Sequence, residues 1–196
     1  MPARRLAVLD RLIAELRAIW SREPDLETRM RRAKPVLESV LADAELRAHS
    51  KAWPATVGQN LLFYEDPEFG FALNATVRPP GSRGTVHDHA HAWTLYGLLD
   101  GWEHLERYAR RDDGTRPGFA ELELLSDTTL RPGMIDFVAP YEIHAERGGD
   151  GRSVAIIIRS ERLVGRVLQR GFDPAARTVR EMSGPTQVPY ELVADD

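Results

Sequence analysis

Two histidine-bearing segments carry the chemistry in this sequence. The first reads Gly81-Ser82-Arg83-Gly84-Thr85-Val86-His87-Asp88-His89-Ala90-His91, and the second Pro140-Tyr141-Glu142-Ile143-His144. Alternate residues of a β-strand face one side. His87 and His89 can therefore aim two imidazoles at one point, and His91 extends that row if the strand stays regular. In a closed barrel the distant strand of His144 can return beside the first. Three imidazoles, His87, His89 and His144, would leave coordination positions open, the pattern of a catalytic rather than a structural metal site. Solvated loop or core histidines are the bland alternative, and the glycine and proline punctuation around both segments argues against it. The chain has no cysteine. That excludes thiolate ligands, disulfides and a cysteine nucleophile, and leaves imidazole and carboxylate to hold iron, manganese, nickel, copper or zinc.

The neighbouring residues have two readings each. Trp93 and Tyr96 come after the histidines on a strand. They are either core or the wall of a water-excluding pocket in which the Tyr96 hydroxyl reaches a bound oxygen species. His91 is either a surface or supporting imidazole, or an alternative ligand or acid–base group. Asp88 is expected to face away from the ligands. Glu103 and Glu106 belong to a charged strand, and Glu142, beside the third histidine, is the best of these three as a fourth ligand. His49 ends a helix, where the dipole favours a cation, and His104 reads as surface.

The elements that position these groups fall into two styles. Leu6, Leu9, Leu12, Ile13, Leu16, Ile19 and Trp20 recur at helical spacing. Glu23-Pro24-Asp25 breaks the pattern, and Ser21 or Asp25 can cap the next helical segment. Pro35 is expected in the first turn of a further helix, with Val36, Leu37, Val40, Leu41 and Leu46 on its apolar side. From about Trp53 the period becomes that of strands: 60–64, 69–78, 92–99, 102–109, 121–125, 134–138 and 153–159, separated by glycine, proline and aspartate turns. Many short strands at such spacing point to a sandwich or barrel. A hairpin around Asp173-Pro174 and a polar tail end the chain. The expected organisation is N-terminal helices over 1–50 packing outside a barrel over 51–165, then a hairpin and tail over 166–196.

With 196 residues and a formal net charge of −4, the chain suits one soluble domain, and its interspersed charges carry no nucleic-acid footprint. The basic cluster Arg29, Arg31, Arg32 and Lys34 is mixed with Glu27 and Glu38 and reads as a solvated helix face. No apolar run is long enough to span a bilayer. Met1-Pro2-Ala3-Arg4-Arg5 leads into an amphipathic helix rather than a signal-peptide core, so the expectation is a cytoplasmic protein without a membrane partner. It would be a monomer, or a homodimer paired through an apolar strand edge.

The two segments resemble the cupin superfamily, a double-stranded β-helix barrel. Gly81, His87 and His89 match the start of its first motif, and Gly101 its closing glycine. Thr94 stands where the motif has a glutamate. Gly133, Pro140 and His144 match the second motif loosely. The resemblance covers about residues 69–159. A glutamate-free, three-histidine site resembles that of the thiol dioxygenases, which include cysteine dioxygenase and 3-mercaptopropionate dioxygenase. It implies ferrous iron on His87, His89 and His144, with a small thiol or related acid and dioxygen as substrates. The Ser-x-His-x-Tyr string of those enzymes is absent; the matching strand, 153–159, reads SVAIIIR. Arg78, Arg83 or Arg159 would have to grip a substrate carboxylate. A non-oxidative isomerase or lyase using manganese, nickel or zinc as Lewis acid, and a metal- or ligand-binding protein without turnover, remain open beside the oxygenase, because one fold hosts many functions.

Overall fold

The computed structural model describes residues 5–193. The start of the chain before Arg5 and its last three residues, on which the reading of the N-terminal leader and the polar tail partly rests, lie outside the described residues. Among the described residues three helices come first: α1 (Ala7–Arg22), α2 (Leu26–Leu41) and α3 (Ala44–Ser50). Asp25 caps α2 by accepting the Thr28 N–H at 2.8 Å, and Asp43 caps α3 by accepting the Leu46 N–H at 2.8 Å. Pro35 does not open a helix as expected. It lies inside α2, where the burial of Met30, Ala33, Leu37 and Leu41 on one side outweighs the hydrogen bond that a proline forgoes. On the other side of α2 the basic cluster is largely paired, Arg31 with Glu27, Lys34 with Glu38 and Arg32 with Glu23.

Twelve strands come after the helices: β1 (Gln59–Glu65), β2 (Ala72–Arg78), β3 (Val86–His87), β4 (Thr94–Asp100), β5 (Glu103–Arg110), β6 (Leu122–Leu130), β7 (Ile135–Val138), β8 (Ile143–Gly148), β9 (Ser153–Arg159), β10 (Gln169–Asp173), β11 (Thr178–Met182) and β12 (Thr186–Pro189). They form two six-stranded sheets, in the orders β12-β1-β2-β9-β4-β7 and β11-β10-β3-β8-β5-β6. Strands β2 to β9 alone give β2-β9-β4-β7 facing β3-β8-β5-β6. That interleaved order is an eight-stranded jelly roll, the double-stranded β-helix topology. The expected hairpin at Asp173 is present as β10–β11, with the Asp173 carboxylate accepting the N–H groups of Ala175 and Ala176. Both hairpin strands continue the second sheet.

The first sheet is buried on both faces, and the period of two assigns each residue its side. On β9, Val154, Ile156 and Ile158 join the core shared with the helices, as do Leu73, Ala75 and Val77 of β2 and Leu95 and Leu99 of β4. The intervening residues face the barrel interior: Tyr96, Leu98, Ala155 and Ile157 form a second apolar cluster with Leu130. Gly97 faces the helices. A Cβ there would stand 2.7 Å from Leu41 Cδ1 and 3.0 Å from Leu37 Cδ2, so α2 lies directly on this strand.

Candidate metal centre

His87 and His144 are register partners across β3 and β8, which puts their side chains on one face. His89 stands two residues after His87. The three rings lie with centroids 4.7–5.0 Å apart, and one ring nitrogen from each falls within 4.8 Å of the others. Strand β3 ends at His87 and a turn begins. Ala90 has φ of +48° and its carbonyl accepts the Tyr141 N–H at 2.7 Å. The regular row is therefore broken after His89. His91 turns outward, mostly exposed, and pairs with Glu161 at 2.9 Å. Trp93 faces the helix side of its strand, against Phe137, whereas Tyr96, three positions on, faces the interior. The structure thus gathers His87, His89, Tyr96, Arg78, Arg83 and Arg159 around one cavity, sets His144 against the first two histidines, and leaves His91 and Trp93 outside the cavity.

That cavity has a volume of about 270 Å³ and is lined by His87 and His89, and His144, fully buried, brings a ring nitrogen within 4.8 Å of theirs. The imidazole nitrogens suit a divalent metal. His87 Nδ1 lies 2.8 Å from the Thr85 carbonyl oxygen, which only accepts, so Nδ1 carries the proton and the lone pair of Nε2 faces His89 Nε2 at 3.0 Å. Two nitrogens bound about 2.1 Å from one ion at roughly a right angle would stand about this far apart. His89 Nδ1 and both ring nitrogens of His144 are buried without a hydrogen-bond partner among the described residues. His144 Nδ1 faces Asp136 Oδ2 at 3.5 Å and Glu146 Oε1 at 3.6 Å, the carboxylate backing that orients metal-binding imidazoles. Burial, followed by the neighbouring charge on His144, lowers the His87 pKa to about 4; burial and then Arg159 push His89 well below its ordinary value. For His144 burial also acts downward, but Glu146 and Asp136 outweigh it and the pKa is raised.

Glu146 and Asp136 are acidic groups that sequence reasoning passed over, and Glu103, expected only on a charged strand, is the third acidic group beside the site. Glu146 lies two residues beyond His144 on β8, so strand alternation could have placed it in the cavity. It accepts from Arg78 Nη2 at 3.0 Å; burial acts to raise its pKa, but His144 and then Arg78 hold it down at about 2. Glu103 is fully buried, accepting the Tyr96 hydroxyl at 2.8 Å and the Ser153 hydroxyl at 2.6 Å, and its pKa is raised by burial. Arg107 joins Asp136 to Glu142, so Glu142 is engaged by a guanidinium rather than turned to the histidines. Arg159 is 5 % exposed, and its Nε and Nη1 have no partner among the described residues. Burial lowers its pKa to about 10, a value at which it still carries its charge near neutrality.

No family model matches the chain, and no curated protein does. Among solved structures it is similar to an uncharacterized conserved protein with a double-stranded beta-helix domain from Klebsiella pneumoniae, at 14 % identity and a TM-score of 0.44, over 62 % of this chain and 85 % of that one. It is similar to the cupin domain of Schizosaccharomyces pombe Cnp3, at 10 % identity and 0.41, over 53 % and 64 %. It is also similar to a cupin-2 domain protein of Rhodospirillum rubrum, at 14 % identity and 0.39, over 50 % and 55 %. The chain thus spans little more than half the length of the last of these. Likenesses this distant carry nothing about activity, and the topology stands on the strand order itself: this is a mainly β, double-stranded β-helix protein with a three-histidine group inside its barrel.

Proposed function

We propose that this chain is a metal-dependent cupin enzyme acting on a small organic acid, in first place a ferrous-iron dioxygenase of a small thiol or related acid. The observation that carries the reading is Arg159, a buried guanidinium with N–H groups unpartnered among the described residues and lining the same cavity as His87 and His89. A buried guanidinium whose N–H groups meet no hydrogen-bonded anion is costly, and a substrate carboxylate supplies one with matching planar geometry. Iron on the three imidazoles would supply the one-electron and dioxygen chemistry that no side chain offers. The protein's own part is orientation and exclusion of water. Arg159 holds the acid. Tyr96, whose pKa burial and then Glu103 push well up, stays a neutral phenol facing the cavity.

The chain of hydrogen bonds and ion pairs from Tyr96 through Glu103 and Arg78 to Glu146 supports a second reading, a non-oxidative lyase or isomerase in which these groups hold or move a proton and zinc, nickel or manganese serves as Lewis acid. Elemental analysis after anaerobic iron loading, with oxygen uptake monitored on small thiol acids, tests the proposal. One iron per chain with acid-dependent oxygen uptake is the expected result. Tight zinc, nickel or manganese without uptake would move the assignment to the second reading, and a protein that takes up no metal would overturn both.

A further inference from the structure

We infer that Gln169 recognises a neutral hydroxyl on the substrate, so that the acid taken by this cavity is a hydroxy acid rather than an amino acid; the inference rests on the reading of the cavity as a small-acid site. Gln169 is fully buried and lines the cavity, yet neither its amide nitrogen nor its amide oxygen has a hydrogen-bond partner among the described residues. Its placement is a matter of register. Gly171 of β10 is opposite His87 of β3, so position 171 shares the inward face of that histidine, and Gln169, two residues earlier, shares it too. Gly171 adds no side chain of its own beside His87. The chain passes close at Gly184, another lining residue, where φ is +73° and a Cβ would stand 2.3 Å from the Gln169 amide nitrogen. The amide is thereby packed against a tight turn in the cavity wall.

A primary amide with both functions free matches a group that both donates and accepts, as a hydroxyl does. The Thr94 hydroxyl, also without a partner among the described residues, lines the same cavity. An ammonium group offers donors only and requires a counter-ion when desolvated. The one carboxylate among the described lining residues is Glu146, already engaged by Arg78 at 3.0 Å. An amino acid would therefore bring a second cation beside Arg159 with no anion left to meet it.

Propionate, lactate and alanine share a three-carbon acid skeleton and differ at C2 by hydrogen, hydroxyl and ammonium. Calorimetric titration of the metal-free protein with each separates the amide from any metal, which would itself favour a hydroxyl. Lactate is expected to bind about tenfold more tightly than propionate, as one well-made buried hydrogen bond supplies, with alanine weakest. Gln169→Leu and Gln169→Met, checked for fold by circular dichroism, should abolish the roughly tenfold preference for lactate over propionate. Equal binding of propionate and lactate would overturn the role of Gln169 while leaving the small-acid reading standing. Binding of none of the three would overturn both. Alanine binding tightest, or a lactate preference retained by a folded variant, would also overturn it, and the wild-type order decides the matter where a variant does not fold.

Discussion

Asp88, the residue between the two histidines of the first segment, is fully buried with its carboxylate on Arg170. Oδ1 accepts the Arg170 backbone N–H at 3.1 Å, and Oδ2 accepts Arg170 Nε at 2.6 Å. Oδ1 also accepts the Ala90 N–H at 3.1 Å. The side chain pointing away from the metal centre thus ties the segment to β10 just where β3 ends and strand geometry no longer holds His89 in place. Asp88→Ala is expected to lower metal affinity about 10- to 100-fold with all three imidazoles retained, as losses of such supporting groups do. Zinc titration against a competing chelator measures it, and unchanged affinity in a folded variant would show that Asp88 does not position His89.

Arg159 predicts an opposition between stability and binding. A buried guanidinium without hydrogen-bond partners for Nε and Nη1 among the described residues weakens the fold, and methionine fills a similar volume without a charge. Arg159→Met should raise the unfolding free energy of the metal-free protein by about 1–3 kcal/mol, in line with the gain when buried charges are replaced by apolar groups, and should abolish binding of small carboxylates. Denaturant unfolding and calorimetry read the two effects. A destabilised variant that still binds acid would contradict both.

Gly97 predicts a purely structural effect. A methyl group at this position would press on Leu37 and Leu41 of α2, and Gly97→Ala is expected to cost about 1–2 kcal/mol by overpacking. Because residue 97 faces the helices and not the cavity, metal content should be unchanged. Loss of metal in a folded Gly97→Ala protein would mean that α2 and the site are coupled.

Asp66 predicts an acid limb. Its carboxylate accepts from Arg17 Nη1 at 2.5 Å, from the Tyr64 hydroxyl at 2.9 Å and from the N–H groups of Glu68 and Phe69 at 2.9 and 2.8 Å. Burial acts to raise its pKa, but these hydrogen bonds outweigh it and the pKa is lowered. A carboxylate whose pKa is depressed by folding contributes stability above its unfolded value, near 4, and loses it as the pH falls through the folded value. Unfolding free energy should therefore drop below about pH 4, and less steeply in Asp66→Asn. Identical slopes for the two proteins would remove Asp66 from the acid response.

His87 and His89 were legible from the sequence because the spacing of two reports a strand face directly, and the apolar periodicities of 6–20 and 153–159 located a helix and a strand for the same local reason. The Asp25 cap and the Asp173 hairpin were legible too, since both are made by residues within a few positions of each other. The convergence of His144 with His87 depends on β8 lying beside β3 across more than fifty residues, which no local pattern specifies. Tertiary structure also decided that His91 leaves the row, because the turn at Ala90 is set by a hydrogen bond from Tyr141. It likewise placed Pro35 within a helix that buries Leu37 and Leu41. It brought Glu146 and Gln169, ordinary polar residues in the sequence, to one cavity, set Glu103 behind it on the Tyr96 hydroxyl, and left the Gln169 amide free among the described residues. Periodicity records which way a side chain points; what it meets there is set by the pairing of distant strands.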